Sequence, residues 1–196
     1  VAAPLSLAAS IVLTCLAPTG ATKGGSAIYL AASLILFGIS ALYHRFYWSP
    51  RWEIVWNRLD HSNIFLLIAG TYTPLSIAIL PHDQAVTILS IVWGGALLGI
   101  LLNLFWPTAP RWLATLIYVA LGWVALWYLP QFWSLGGAVI VWLLLAGGIL
   151  YTIGAVVYAT KKPDLSPRWF GFHEIFHLCT VLAWACHCVA VYLAVL

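Results

Sequence analysis

Residues 135–158 read LGGAVIVWLLLAGGILYTIGAVVY, a run without one charged side chain. An α-helix needs about 20 apolar residues to cross the roughly 30 Å hydrocarbon core of a bilayer, and this run supplies them. Hydrocarbon cannot satisfy a backbone outside a helix or a closed barrel. A barrel strand would alternate apolar and polar residues over about ten positions, and no such alternation is present. The same composition continues outward in both directions. Hydrophobic residues make up 64% of the 196 positions and charged residues 7%. Eight basic and five acidic side chains cannot cover the surface of a soluble domain of this size. The fold class that follows is all-α, a seven-transmembrane helix bundle.

Polar punctuation divides residues 1–196 into spans near 1–17, 26–48, 60–80, 84–105, 111–129, 135–158 and 172–195, all in one membrane domain. The breaks carry turn residues: Pro18–Gly25, Ser49–Pro50, Pro81–Asp83, Pro107–Pro110, Pro130 and Lys161–Pro167. Trp48, Trp52, Trp56, Trp106, Trp112, Trp127, Tyr128, Trp133 and Trp169 gather beside them, as an interfacial aromatic belt does. Gly95 with Gly99, Gly136 with Gly137, and Gly147 with Gly148 read as close helix packing. Residues 1–16 lack a basic leader and a small-residue cleavage site, so they read as a first span rather than a signal. The chain begins with Val and contains no Met, from which a trimmed or engineered N-terminus and an incomplete first span are expected.

Seven of the eight basic residues fall in the even-numbered loops and their flanks: Arg45, Arg51, Arg58, Arg111, Lys161, Lys162 and Arg168. Lys23 alone lies in loop one. The positive-inside rule then places the even loops and the N-terminus in the cytoplasm and the C-terminus outside. These charges serve orientation, so the net +3 gives no reason to expect a nucleic-acid partner. Membrane lipids are the expected partners, and the sequence leaves the oligomeric state open. The expected location is a plasma (inner) membrane.

Ionisable groups at membrane depth are costly and ask for a reason. His44 ends span two, Asp60 and His61 begin span three, and His173, Glu174 and His177 begin span seven. The loop charges put all of these ends on the cytoplasmic side, although the histidines were not used to set that topology. His173 and His177 are four residues apart, which stacks both imidazoles on one helix face within reach of one ion. Ser40 lies one turn before His44 on the same face, about 6 Å along the axis. Three neutral imidazoles with an open fourth position describe a catalytic rather than a structural zinc site, at which a bound water is acidified. Asp60 suits the outer shell of such a site, holding that water or accepting its proton.

A lone histidine at a helix end is more often interfacial or hydrogen-bonded than a ligand. The His173–His177 pair is less easily dismissed, and His44 with Asp60 in the same layer tips the balance toward a metal. His61 points about 100° away from Asp60 and reads as packing or as an outer donor. His82 lies in an outer loop and reads as solvated. His187 lies about 15 Å deeper along the last helix than His177, too far for the same ion. Cys186 and Cys188 flank it, but neighbours on a helix point about 100° apart and cannot chelate from one face. With Cys15 and Cys179 they read as small buried thiols. His173-Glu174-Ile175-Phe176-His177 also matches the metalloprotease pattern H-E-x-x-H, in which Glu is the general base. No Asp or Glu in a span core offers such an enzyme its third ligand, whereas His44 is available.

Taken together, Ser40-Ala41-Leu42-Tyr43-His44, Asp60-His61, Ile68-Ala69-Gly70-Thr71-Tyr72-Thr73-Pro74 and His173-Glu174-Ile175-Phe176-His177 resemble the bacterial hemolysin III family. That family is the prokaryotic branch of the progestin and adipoQ receptor group, which includes the adiponectin receptors, and it is more distantly similar to the alkaline ceramidases. The resemblance implies a seven-helix bundle with its N-terminus inside and a zinc site near the cytoplasmic face. It implies His44, His173 and His177 as zinc ligands and Asp60 as the contact of the zinc-bound water. Ser40 would assist the site or polarise a substrate carbonyl, and His187 would match a later family histidine that is not a ligand. Relatives in the wider group hydrolyse the amide bond of ceramide-like lipids, and bacterial members take their name from a haemolytic, pore-like activity. Three functions are therefore expected to compete. They are a zinc-dependent lipid amidohydrolase, a pore-forming or lytic protein with structural zinc, and, behind both, an intramembrane metalloprotease.

Overall fold

The structure is a computed structural model that describes residues 2–106, 110–163 and 170–196, apart from the side chain of Arg111. Pro107, Pro167, Arg168 and Trp169, used above to mark loops and orientation, lie outside the described residues. The helices are α1 (Ala2–Leu16), α2 (Gly20–Arg45), α3 (Pro50–Ile79), α4 (His82–Phe105), α5 (Arg111–Gly122), the single turn α6 (Leu129–Gln131), α7 (Ala138–Thr160) and α8 (Phe172–Val195). A 3-10 segment, Trp123–Tyr128, joins α5 to α6, and a π segment, Phe132–Gly136, follows α6. From Trp112 to Gly136 these pieces form one apolar helical path. That path, α2, α3, α4, α7 and α8 are each long and apolar enough to cross a membrane, and α1 is a shorter apolar helix. Among the described residues the chain is thus all-α, with seven apolar helical segments.

Several span boundaries move, each for a local reason. Pro18–Gly25 is not a loop throughout: Thr19 caps α2, with its Oγ1 accepting from Thr22 N at 3.2 Å and its own N–H donating to Thr22 Oγ1. Such a reciprocal box satisfies two of the N–H groups that a helix start leaves bare. Ser49–Pro50 is a helix start as well. Pro50 occupies the first turn of α3, where its missing N–H costs nothing, and Glu53 lies in the same turn. The expected span 60–80 therefore begins ten residues early. Pro130 does not end the fifth span either. Proline cannot donate to the carbonyl four residues back and its ring crowds that carbonyl, so the helix tightens to 3-10 geometry ahead of it and then continues. The break falls at Gly137, whose φ of +88° only glycine adopts without strain. Gly137 is accordingly a turn residue and not a packing residue.

The chain falls into two compact units, Val1–Ala109 with Ala194–Leu196, and Pro110–Leu193. In the first unit α3 is the most buried span. It runs antiparallel to α2: a Cβ on Gly70 would meet Ala32 Cβ at 2.5 Å, and one on Gly25 would meet Pro74 Cα at 3.1 Å. It also runs antiparallel to α4, where Gly99 makes room for the Phe65 ring and Trp93 Nε1 donates to Thr73 Oγ1 at 3.1 Å. Asn103 Nδ2 donates to Ser62 Oγ and to the Arg58 carbonyl, fastening the end of α4 to α3. In the second unit α8 lies close on α7. Gly147 leaves space for the His187 ring, and a Cβ on Gly154 would meet Cys179 Cβ at 3.0 Å. Small residues that let helix backbones approach are what drives association where lipid removes the hydrophobic incentive.

Candidate metal centre

The residues expected to ligate a metal divide between the two units. In the first unit the last turn of α2 presents His44, and α3 brings Asp60 to it, with His44 Nε2 and Asp60 Oδ2 3.8 Å apart. The Asp60 side chain is 12% exposed and that of His44 36%. A carboxylate beside an imidazole orients the ring, a common arrangement around a metal-binding histidine. The residues next to His44 hold it in place. Tyr43 packs its ring on the His44 ring with centroids 4.7 Å apart. Asn57 Nδ2 donates to Tyr43 Oη at 3.1 Å, and Trp48 Nε1 donates to the Tyr43 carbonyl at 3.2 Å. Trp48 in turn stacks on Trp56 of α3. The end of α2 is thereby tied to the start of α3, the ten residues that lie outside the expected span. Ser40 sits half-buried one turn before His44.

His61 bonds within its own helix. Its Nδ1 donates to the Asn57 carbonyl at 2.7 Å, which fits the packing role read from its position. His82 is exposed at the first residue of α4, as expected of a solvated side chain.

In the second unit His173 and His177 share the first two turns of α8. Their Nε2 atoms are 3.0 Å apart, with ring centroids 4.6 Å apart and the rings nearly perpendicular at 86°. Two imidazoles on one tetrahedral zinc, with Zn–N near 2.0–2.1 Å, bring their nitrogens to about 3.3 Å. The pair is thus close to the separation that zinc requires. Glu174 points elsewhere: its Oε2 accepts from the Gly171 N–H at 2.9 Å, three residues back, and it is exposed. That is half of a capping box, with the carboxylate at the positive end of the helix. His187 lies deeper in α8, where its Nε2 donates to the Leu144 carbonyl at 3.2 Å and its ring meets Tyr151 edge-on. It has a packing partner and a hydrogen bond of its own, and is no part of the His173–His177 pair. The four cysteines are all free thiols, and Cys15 is exposed rather than buried as its apolar surroundings suggested.

Residues 1–188 match the family model described as Haemolysin-III related. The chain belongs to the hemolysin III family. It is 34% identical over 186 residues to Hemolysin-3 of Bacillus cereus, covering 91% of this chain and 80% of that protein. It is 38% identical over 147 residues to the Hemolysin-3 homolog of Bacillus subtilis (strain 168), covering 74% of this chain and 68% of that one. Family membership and the apolar helices together make the chain a multi-pass membrane protein of the hemolysin III family.

One polar residue at this end of α3 gave no signal in the sequence. Asn63, 7% exposed, buries its Nδ2 without a hydrogen-bond partner among the described residues. A single Asn beside a serine in an apolar helix reads as nothing in particular, and only its surroundings single it out.

Proposed function

We propose that His44, His173 and His177 hold one zinc ion and that the protein is a zinc-dependent hydrolase of lipid amides of the ceramide type. His173 and His177 would supply two ligands from one face of α8, and His44, beside Asp60, the third. The observation that carries the reading is the His173–His177 pair, with two ring nitrogens 3.0 Å apart on one face of α8. Two imidazole nitrogens so close are adverse when both are protonated and favourable when a cation lies between them. His44, His173 and His177, as neutral imidazoles, would hold the ion, which would supply Lewis-acid chemistry to the site.

The chain's own residues supply the rest. Asp60, beside the His44 ring and largely withdrawn from solvent, takes a proton from the attacking water and delivers it to the departing amine. The Tyr43, Trp48 and Asn57 contacts keep His44 in register with Asp60. Ser40, half-buried one turn deeper, would hold a substrate oxygen. The basic loop residues Arg45, Arg51, Arg58, Lys161 and Lys162 favour a cytoplasmic position for the site and a plasma membrane location. A lipid would then reach it from the headgroup layer.

A lytic function is the second reading, because the relatives from Bacillus carry the name hemolysin. In it zinc clamps helices and no bond is cut. The metalloprotease reading loses its general base, since the Glu174 carboxylate is engaged at the start of α8. The test is release of fatty acid from a panel of ceramides by the purified zinc-loaded protein. Asp60→Asn is expected to retain zinc and lose at least about a hundredfold in rate, the lower end of what a general base contributes. Glu174→Gln is expected to retain both. Lysis that survives loss of all three histidines, with no ceramide cleaved by the wild type, would replace this reading by the lytic one.

A further inference from the structure

Asp60, Gly70 and Pro74 of α3 meet α2, and Asn63 and Leu67 fall on the same stripe at intervals of three and four. Three points along that stripe fix the register. Asp60 meets His44, Gly70 meets Ala32, and Gly25 meets Pro74 and Ile77. Read along this antiparallel ladder, Asn63 lies opposite positions 39–41, with Ser40 at their centre. Two polar residues thus face each other one turn deeper than the His44–Asp60 pair.

Of the polar side chains on α3, Trp56 Nε1 and Ser76 Oγ are also buried without a partner among the described residues, and three others are paired. Ser62 accepts from Asn103, while Thr71 and Thr73 donate to the carbonyls of Leu67 and Ala69. Asn63 Nδ2 is buried with no acceptor among the described residues. A buried amide N–H without a partner costs folding free energy, and an apolar residue of the same size would avoid the cost. Residues that break a local rule in this way are expected where function requires them.

We propose that Asn63 is a ligand-binding residue, its Nδ2–H donating to the carbonyl oxygen of an acylated amine lipid lodged between α2 and α3. The inference rests on the lipid-amide reading and adds to it the residue that tells an acyl carbonyl from a plain hydrocarbon chain. Ser40 on the facing helix supplies a second polar contact for the same headgroup.

The experiment is a tryptophan-fluorescence titration of the purified zinc-loaded protein with two ligands, a long-chain fatty amide and a chain-matched ether that lacks the carbonyl. The wild type is expected to bind the amide more tightly. Asn63→Leu is expected to lose about five- to tenfold for the amide, the size of one neutral hydrogen bond, and nothing for the ether. Its zinc content should stay at the wild-type level and its unfolding temperature should hold or rise. Asn63→Asp keeps the size, replaces the donor with an acceptor, and should lose the amide preference likewise, which covers a Leu variant that does not fold. If the wild type prefers the amide and both variants keep that preference, Asn63 is not the donor and a water alone satisfies it. If the wild type shows no preference, the lipid-amide reading itself falls and the role of Asn63 with it.

Discussion

His173 and His177 sit on one face of α8 with their Nε2 atoms 3.0 Å apart, and His44 shares its surroundings with Asp60. These pairings make separable demands on individual side chains. His177→Ala should abolish zinc retention, whereas Asp60→Asn should keep the metal and lose the reaction. Metal content and ceramide hydrolysis on the same preparations distinguish the two. Glu174 makes a different demand. It accepts from Gly171 N–H at the start of α8, so Glu174→Gln should cost at most about 1 kcal/mol of stability, as the loss of a capping charge does, with zinc unaffected. At this scale the sequence was partly legible. The four-residue spacing of His173 and His177 follows from helix geometry, and it needed no structure. Asn63 was not legible, because neither its burial nor its missing acceptor leaves a mark on the order of residues.

At the scale of elements, the glycines of α4 and α7 are where helices come together. Gly147 accommodates the His187 ring and Gly99 the Phe65 ring, and a methyl group at either would overlap aromatic atoms. Gly147→Ala should destabilise the protein by about 1–3 kcal/mol, the usual cost of overpacking. Adding His187→Ala should recover part of that loss, since it removes the ring that the methyl displaces. Thermal unfolding of the single and double variants in detergent measures the coupling, and purely additive losses would count against the contact. The helices themselves were easy to read, because apolar runs near 20 residues have few alternatives. Their ends were harder for a specific reason. Pro50 and Pro130 were both read as breaks, yet proline is as welcome in the first turn of a helix as it is disruptive further in. Gly137 was read as packing, and its positive φ makes it the turn that Pro130 was expected to be.

For the molecule as a whole, orientation decides whether the proposed site faces the cytoplasm. Trp52 near the start of α3 and His82 at the start of α4 are both exposed, and the charge distribution places them on opposite sides of the membrane. In a cysteine-free background, a membrane-impermeant maleimide applied to intact cells should label His82→Cys and spare Trp52→Cys. The reverse pattern would turn the protein over and move the proposed site to the outer face. The sequence read this orientation from Lys and Arg alone, because loop charge acts during insertion and requires no knowledge of packing.

The central claim is that His44 joins His173 and His177 on one metal ion, and it is tested most directly by metal analysis of purified protein. Wild type, His44→Ala, His173→Ala and His177→Ala would be compared after identical preparation in zinc-containing buffer. The wild type is expected to carry about one zinc per chain, as a three-histidine site does, and each variant is expected to fall well below it. A wild type without zinc, or a His44→Ala variant that keeps as much zinc as the wild type, would contradict the three-histidine centre.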